Sequence, residues 1–218
     1  MLTRRENVYL IKRNLAQLIH DNGHNFAGLT TSLPDTTSVI QGVVPQNMLT
    51  SQVDIISALY RGWKYVIGHR GPLTLNVIQQ LNKRASPDNL DPGHFRYQPA
   101  SITGVNYKPP LPTVKAAKRI IKHSMTLNAG YSTRAISLML GLDRAQLFWD
   151  GNKRTGMLAA NYYLLWHHAG VLNIPTRLKP DWIRLLSNYY ETGEPDKLIK
   201  WLNSHCMTTS LGSYPKSN

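Results

Sequence analysis

The sequence predicts an all-α domain carrying one small β element. Three observations support this. Apolar residues recur at helical spacing through most of the 218 residues. Gly and Pro steps such as Gly23, Gly71-Pro72, Gly130 and Gly170 interrupt that spacing. One segment, 95–107, has no helical period at all.

In chain order, the spacing predicts helices over 5–21, 36–44, 51–67 and 74–84. Val114, Ala117, Ile120, Ile121 and Met125 then share one helical face. A helix over 132–147 follows, and Met157, Leu158, Asn161, Leu164 and Leu165 share the face of another. Helices over 180–191 and 195–204 complete the set. Between them, Phe95 to Tyr107 is closed by Lys108-Pro109-Pro110-Leu111-Pro112, and Pro99 limits it to an edge strand or irregular hairpin. Such a hairpin can pair with an extended peptide, main chain to main chain, or simply connect two helices. We read an amino-terminal helical region over 1–70 and a core over 71–218, expected to form one structural unit.

Composition narrows the class. Apolar residues at 42% and charged residues at 17% describe an ordinary globular chain. Its length suffices for a core without disulfide or structural metal. Cys206 is the sole cysteine, which excludes an intramolecular disulfide and a cysteine zinc cluster. No run of 18 apolar residues and no signal-peptide pattern is present, so the expectation is a cytoplasmic protein with no membrane partner. The formal net charge of +13 attracts polyanions, including nucleotides and acidic protein faces. Nucleic acid is a less favoured partner, because the cations are spread along the chain rather than clustered.

One loop carries chemistry: Leu147-Phe148-Trp149-Asp150-Gly151-Asn152-Lys153-Arg154-Thr155. Asp-Gly-Asn turns into an apolar-periodic helix, with Asp or Asn as its expected cap. Lys153 and Arg154 then fall in the first turn, where the helix dipole disfavours cations unless something negative compensates. Free N–H groups, a glycine and two cations together make an anion site. Asp150 beside a phosphate is a natural Mg²⁺ ligand. The same residues also read as a capped helix with exposed cations.

This stretch resembles the signature of the Fic family, His-x-Phe-x-(Asp/Glu)-Gly-Asn-Gly-Arg-x-x-Arg, with Phe148, Asp150, Gly151, Asn152 and Arg154 at matching positions. Gly93-His94-Phe95-Arg96, running on to Ile102 and Gly104, is similar to the start of the family's target-docking flap. Thr37 to Gly42 is similar to its inhibitory-helix motif. The resemblance implies a helical domain that binds ATP with Mg²⁺ and moves AMP to a hydroxyl of a protein target. It assigns Asp150 to the metal, and Gly151, Asn152, Lys153 and Arg154 to the phosphates. It makes Phe148 the loop anchor and the flap, with Arg96, Ile102 and Gly104, the platform for the target.

The chain departs from the family's motifs at four places, three in the signature and one in the inhibitory-helix motif. Gln146 occupies the position of the catalytic His, and Gln has no nitrogen that titrates near neutral pH. Losing a general base typically costs about 10²–10⁴ in rate. His94 is the one histidine considered as a substitute. Gln41 replaces the inhibitory Glu, and Met157 replaces the second Arg that the Glu would meet, so both charged partners are absent together. Lys153 replaces a glycine, as in the death-on-curing branch that transfers phosphate. The expectation is therefore a nucleotide-binding transferase of AMP or phosphate with impaired catalysis. The alternatives are a catalytically silent Fic domain that binds or regulates a partner, and a basic nucleic-acid binder.

Overall fold

The computed structural model describes residues 2–86 and 90–211. Among the described residues ten α-helices form the body: α1 (Arg4–Arg13), α2 (Leu15–Phe26), α3 (Leu33–Ile40), α4 (Thr50–Gly68), α5 (Leu75–Ala85), α6 (Val114–Thr126), α7 (Tyr131–Ala145), α8 (Asn152–Trp166), α9 (Lys179–Thr192) and α10 (Asp196–His205). Two short strands, β1 (Val171–Leu172) and β2 (Met207–Thr208), pair antiparallel. Among the described residues no helix is long and apolar enough to cross a membrane.

Helix α8 is the axis of the fold. Its sequence, from Thr155 through Leu165, is apolar or small on every side, and a helix apolar all round is buried all round. It packs against α7 along its length and against α4 and α5 on the other side. Trp63, Ile78, Met139, Met157 and Trp182 are among the buried side chains of the common core.

Buried amides bind the chain ends to this axis. Asn161 donates to the Leu172 carbonyl and accepts from its N–H, both at 2.9 Å, which docks β1 on α8. Asn7 of α1 does the same with Gly170. Asp21 accepts from Asn173 at 2.6 Å and from the Thr176 hydroxyl at 2.7 Å. Each bond satisfies a backbone or carboxylate group that would otherwise be buried at a cost.

Several expected boundaries move, each for a local reason. The helix read over 5–21 is two helices, because Asn14 turns its amide back onto the Leu10 carbonyl and leaves helical geometry. Gly23 does not end α2: a Cβ there would come within 2.6 Å of the Leu29 side chain, so the glycine allows close packing. Helix α3 runs over 33–40 rather than 36–44. Ser32 caps it by accepting from the Asp35 N–H, and Gly42, at φ 87°, stops it.

The larger correction concerns 95–107. No strand forms there; the only strands among the described residues are β1 and β2. Arg96, 2% exposed, takes the Gln98 carbonyl that a ladder would have used and binds the closing prolines through the Pro109 and Pro110 carbonyls. The prolines lack N–H donors to replace them. The segment is an ordered irregular loop whose stretch 102–105 closes a turn, Val105 N–H to Ile102 carbonyl, with Gly104 at φ 82°.

Candidate active site

The loop between α7 and α8 is a knot of side-chain to main-chain bonds. Helix α7 ends because Gln146 adopts the left-handed conformation, φ 45° and ψ 60°. Arg96 Nε donates to the Gln146 carbonyl at 2.7 Å, and the Arg96 N–H donates to the Leu147 carbonyl at 3.0 Å. Phe148 is buried and meets the Phe95 ring edge-on, centroids 5.9 Å apart, so it anchors the loop from within.

The expected Asp or Asn cap is not what starts α8. The cap is Gly151, at φ 72°, with no side-chain bond. A Cβ at Gly151 would fall 1.7 Å from Ser86 Oγ, so the position excludes any other residue on two counts, space and conformation. Asn152 instead folds its amide back over the loop, accepting from the Phe148 N–H at 2.9 Å and donating to the Phe148 carbonyl at 2.8 Å. Asn82 holds the loop from α5, donating to the Asp150 carbonyl and the Thr155 hydroxyl while accepting from the Gly93 N–H.

A polar cavity of about 240 Å³ opens at this helix start. Gln146, Asp150, Gly151, Asn152 and Lys153 form one side, and Ile102 of the irregular loop closes another. The first intrahelical bond is Thr155 N–H to Gly151 carbonyl, so the N–H groups of the first turn have no helical partner. The structure thus brings six of the sequence-predicted residues to one cavity. Arg154 lies behind it: its buried guanidinium donates to the Ala85 carbonyl and to an Asp150 carboxylate oxygen. Asp150 itself is exposed, with its other oxygen uncommitted.

The remaining candidates lie elsewhere. Gln41 is exposed at the end of α3 and does not line the cavity. Met157 is fully buried in the core, where an arginine would need a partner. His94 is exposed, paired with Asp91 at 2.7 Å, and does not line the cavity either. Cys206 is buried, and burial pushes its thiol up to about 12.

Sequence reasoning missed Phe26, Ser101 and Thr103, which complete the cavity wall. It also missed Asp143, whose carboxyl is wholly buried with neither oxygen hydrogen-bonded among the described residues. That carboxyl packs on the bare Cα of Gly156, where a Cβ would sit 2.4 Å from Oδ1. Burial drives its pKa well above the carboxylate range, and the Lys153 charge opposes this only in part. Near it, burial raises the Tyr190 hydroxyl above the phenol range, opposed in part by the neighbouring Gln146 side chain. An Asp three residues before a motif position gives no sequence signal of its burial.

The Gln146 amide is bonded at both ends. Its Nε2 donates to the Asp143 carbonyl at 2.7 Å, and its Oε1 accepts from Asn152 Nδ2 at 3.1 Å. The amide braces the loop and offers no group that can take a proton.

Comparisons with known proteins agree with this architecture. Residues 72–164 match the model of the Fic/DOC family. Fic-1 of C. elegans, solved over residues 134–508, superposes with a TM-score of 0.77 at 15% identity, covering 94% of this chain. This chain spans 64% of that one, less than two thirds of its length. A Fic domain containing signaling protein from Bacteroides thetaiotaomicron gives a TM-score of 0.72 at 14% identity, with 93% and 85% covered. A Fic family protein from Desulfovibrio desulfuricans gives 0.65 at 17% identity, with 92% and 62% covered. No curated protein matches the chain. Residues 72–164 therefore carry the Fic/DOC family match, in a chain whose fold is that of solved Fic proteins.

Proposed function

We propose that this chain binds Mg·ATP at the start of α8 and moves AMP, or phosphate, to a hydroxyl of a protein target at a rate limited by the lack of a base at Gln146. The supporting observation is the cavity in which Asp150, Gly151, Asn152 and Lys153 meet open N–H groups at a helix start. Such a site is built for an anion.

The residues fit Mg²⁺ held jointly with phosphate. No group of three or more His, Cys, Asp or Glu side chains that could hold a metal alone occurs among the described residues. Asp150 offers one free carboxylate oxygen at the cavity edge, and Mg²⁺ commonly takes one or two carboxylates plus substrate phosphates. When bound, the ion neutralises charge developing on the phosphates. Lys153 adds a mobile cation on the same side, and Arg154 orients the Asp150 carboxylate from behind. Phosphoryl and nucleotidyl transfer depends largely on positioning and electrostatics, so this frame retains part of the catalytic power without the base.

Calorimetric titration with Mg·ATP tests the binding reading. Saturable binding that Lys153→Ala weakens about tenfold supports it; undetectable binding at millimolar ATP sinks it.

A second reading is favoured by one observation: both ends of the Gln146 amide are already bonded within the loop. On that reading the domain binds nucleotide without transferring any part of it and acts by engaging a partner. Nucleic-acid binding rests on the net charge alone.

A further inference from the structure

A second cavity, of about 430 Å³, shares no residue with the one at α8. It lies in the angle between α6, α7 and the turn that joins α9 to α10. Its body is apolar: Ile120 of α6, Leu140 and Gly141 of α7, and the ring of Tyr189. Tyr189 turns its hydroxyl away to the Leu140 carbonyl at 3.3 Å, which leaves the ring as wall.

Two kinds of polar group interrupt this wall. Inside it, the hydroxyls of the fully buried Ser124 and of Ser137 have only each other, at 3.4 Å, a distance at which little hydrogen-bond energy is gained. Both therefore keep donor and acceptor capacity for a third group. At the mouth, Arg119 and His123 stand exposed, and among the described residues neither side chain has a hydrogen bond or an ion pair. Lys115, Lys118 and Lys122 lie on the same helix, which contains no acidic residue. The two acids beside the lining residues of the turn, Glu194 and Asp196, are exposed, and among the described residues neither forms an ion pair.

A cavity of this size with an apolar body and a few convergent polar groups is the usual form of a small-molecule site. The uncompensated Arg119 at the mouth, with three lysines on the same helix, selects the charge of the occupant, since Arg recognises carboxylate, sulfonate or phosphate through paired N–H donors. We infer that this cavity binds a small organic acid, its ring or short acyl body against Leu140 and Tyr189 and its acid group at Arg119 and His123. The site is independent of the proposed nucleotide site and stands or falls separately from it.

The test is a fluorescence titration of the full chain with anilinonaphthalene sulfonate, an aromatic anion, beside phenylnaphthylamine, its uncharged counterpart. The expected result is saturable binding of the sulfonate that Arg119→Glu/His123→Glu weakens by about tenfold or more. Both substituted residues are exposed, so the melting temperature of the double variant should match the native one. Saturating Mg·ATP should leave the sulfonate bound. The inference is overturned by absence of saturation, by indifference to the double substitution, by equal affinity for the uncharged compound, or by displacement with Mg·ATP. That last outcome would place the dye at α8 instead.

Discussion

Asn152 and Gln146 are joined side chain to side chain, the Asn152 amide donating to Gln146 Oε1 at 3.1 Å. The same Asn152 clamps both main-chain groups of Phe148, so one residue sets the loop and the orientation of the Gln146 amide. Asn152→Ala should leave the buried Phe148 N–H unsatisfied and lower stability by about 1–3 kcal/mol. Urea denaturation checks this. A loss within error would mean that the clamp is incidental.

Asp150 has two tasks that different substitutions separate. Asp150→Asn should abolish the Mg²⁺ dependence of ATP binding yet keep a hydrogen-bond acceptor for Arg154. Asp150→Ala should abolish the same dependence and also strip a partner from a buried guanidinium whose Nε already lacks one, at about 1–3 kcal/mol of stability. Calorimetry with and without Mg²⁺, beside thermal melts, resolves the two effects. Mg²⁺ dependence that survives in either variant places the metal elsewhere.

Gly151→Ala should be severe, since it strains a left-handed residue and drives a methyl into Ser86 Oγ. We expect ATP binding to fall at least tenfold and stability to fall by about 2 kcal/mol or more. Adding Ser86→Gly should recover part of the stability, because it removes the clash and leaves the conformational strain. No recovery in the double variant would show that the clash is not the source of the loss.

Asp143 predicts a pH dependence. Burial raises its folded-state pKa above the unfolded value, so the folded chain keeps a proton that the unfolded chain has already released. Its effect on stability is absent below the unfolded carboxylate pKa and grows more unfavourable as pH rises toward the folded value. Asp143→Asn cannot lose that proton and should melt higher than the native chain at neutral pH, with the gap closing below about pH 4. A gap constant across pH, or of opposite sign, would refute the account.

Much of the fold was legible because its signal is periodic. Helix α8 was legible because an apolar stripe demands burial, and Gly151 because close approach demands glycine. What was not legible depends on long-range bonds. Nothing local shows that Asn82 ties α5 to Gly93, Asp150 and Thr155, or that Phe26 faces the cavity from seventy-odd positions away from the flap. The loop 95–107 was read as a hairpin from its lack of helical period. Arg96, a side chain that spacing rules do not count as a competitor for main-chain bonds, instead takes the Gln98 carbonyl and ties the loop to Pro109, Pro110 and Gln146. The Asn152 cap failed similarly, because the side chain turned back to Phe148 rather than forward into the helix.

The most direct measurement is transfer of label from ATP bearing ³²P at the α-phosphate, with Mg²⁺ and a cell extract as a source of protein hydroxyls. It compares the native chain with Gln146→His. The account predicts labelled protein with the variant at a rate about 10²–10⁴ above the native chain, because a base is restored to a frame that already positions the nucleotide. Equal rates from the two, or no label from a variant that still binds Mg·ATP, would contradict it.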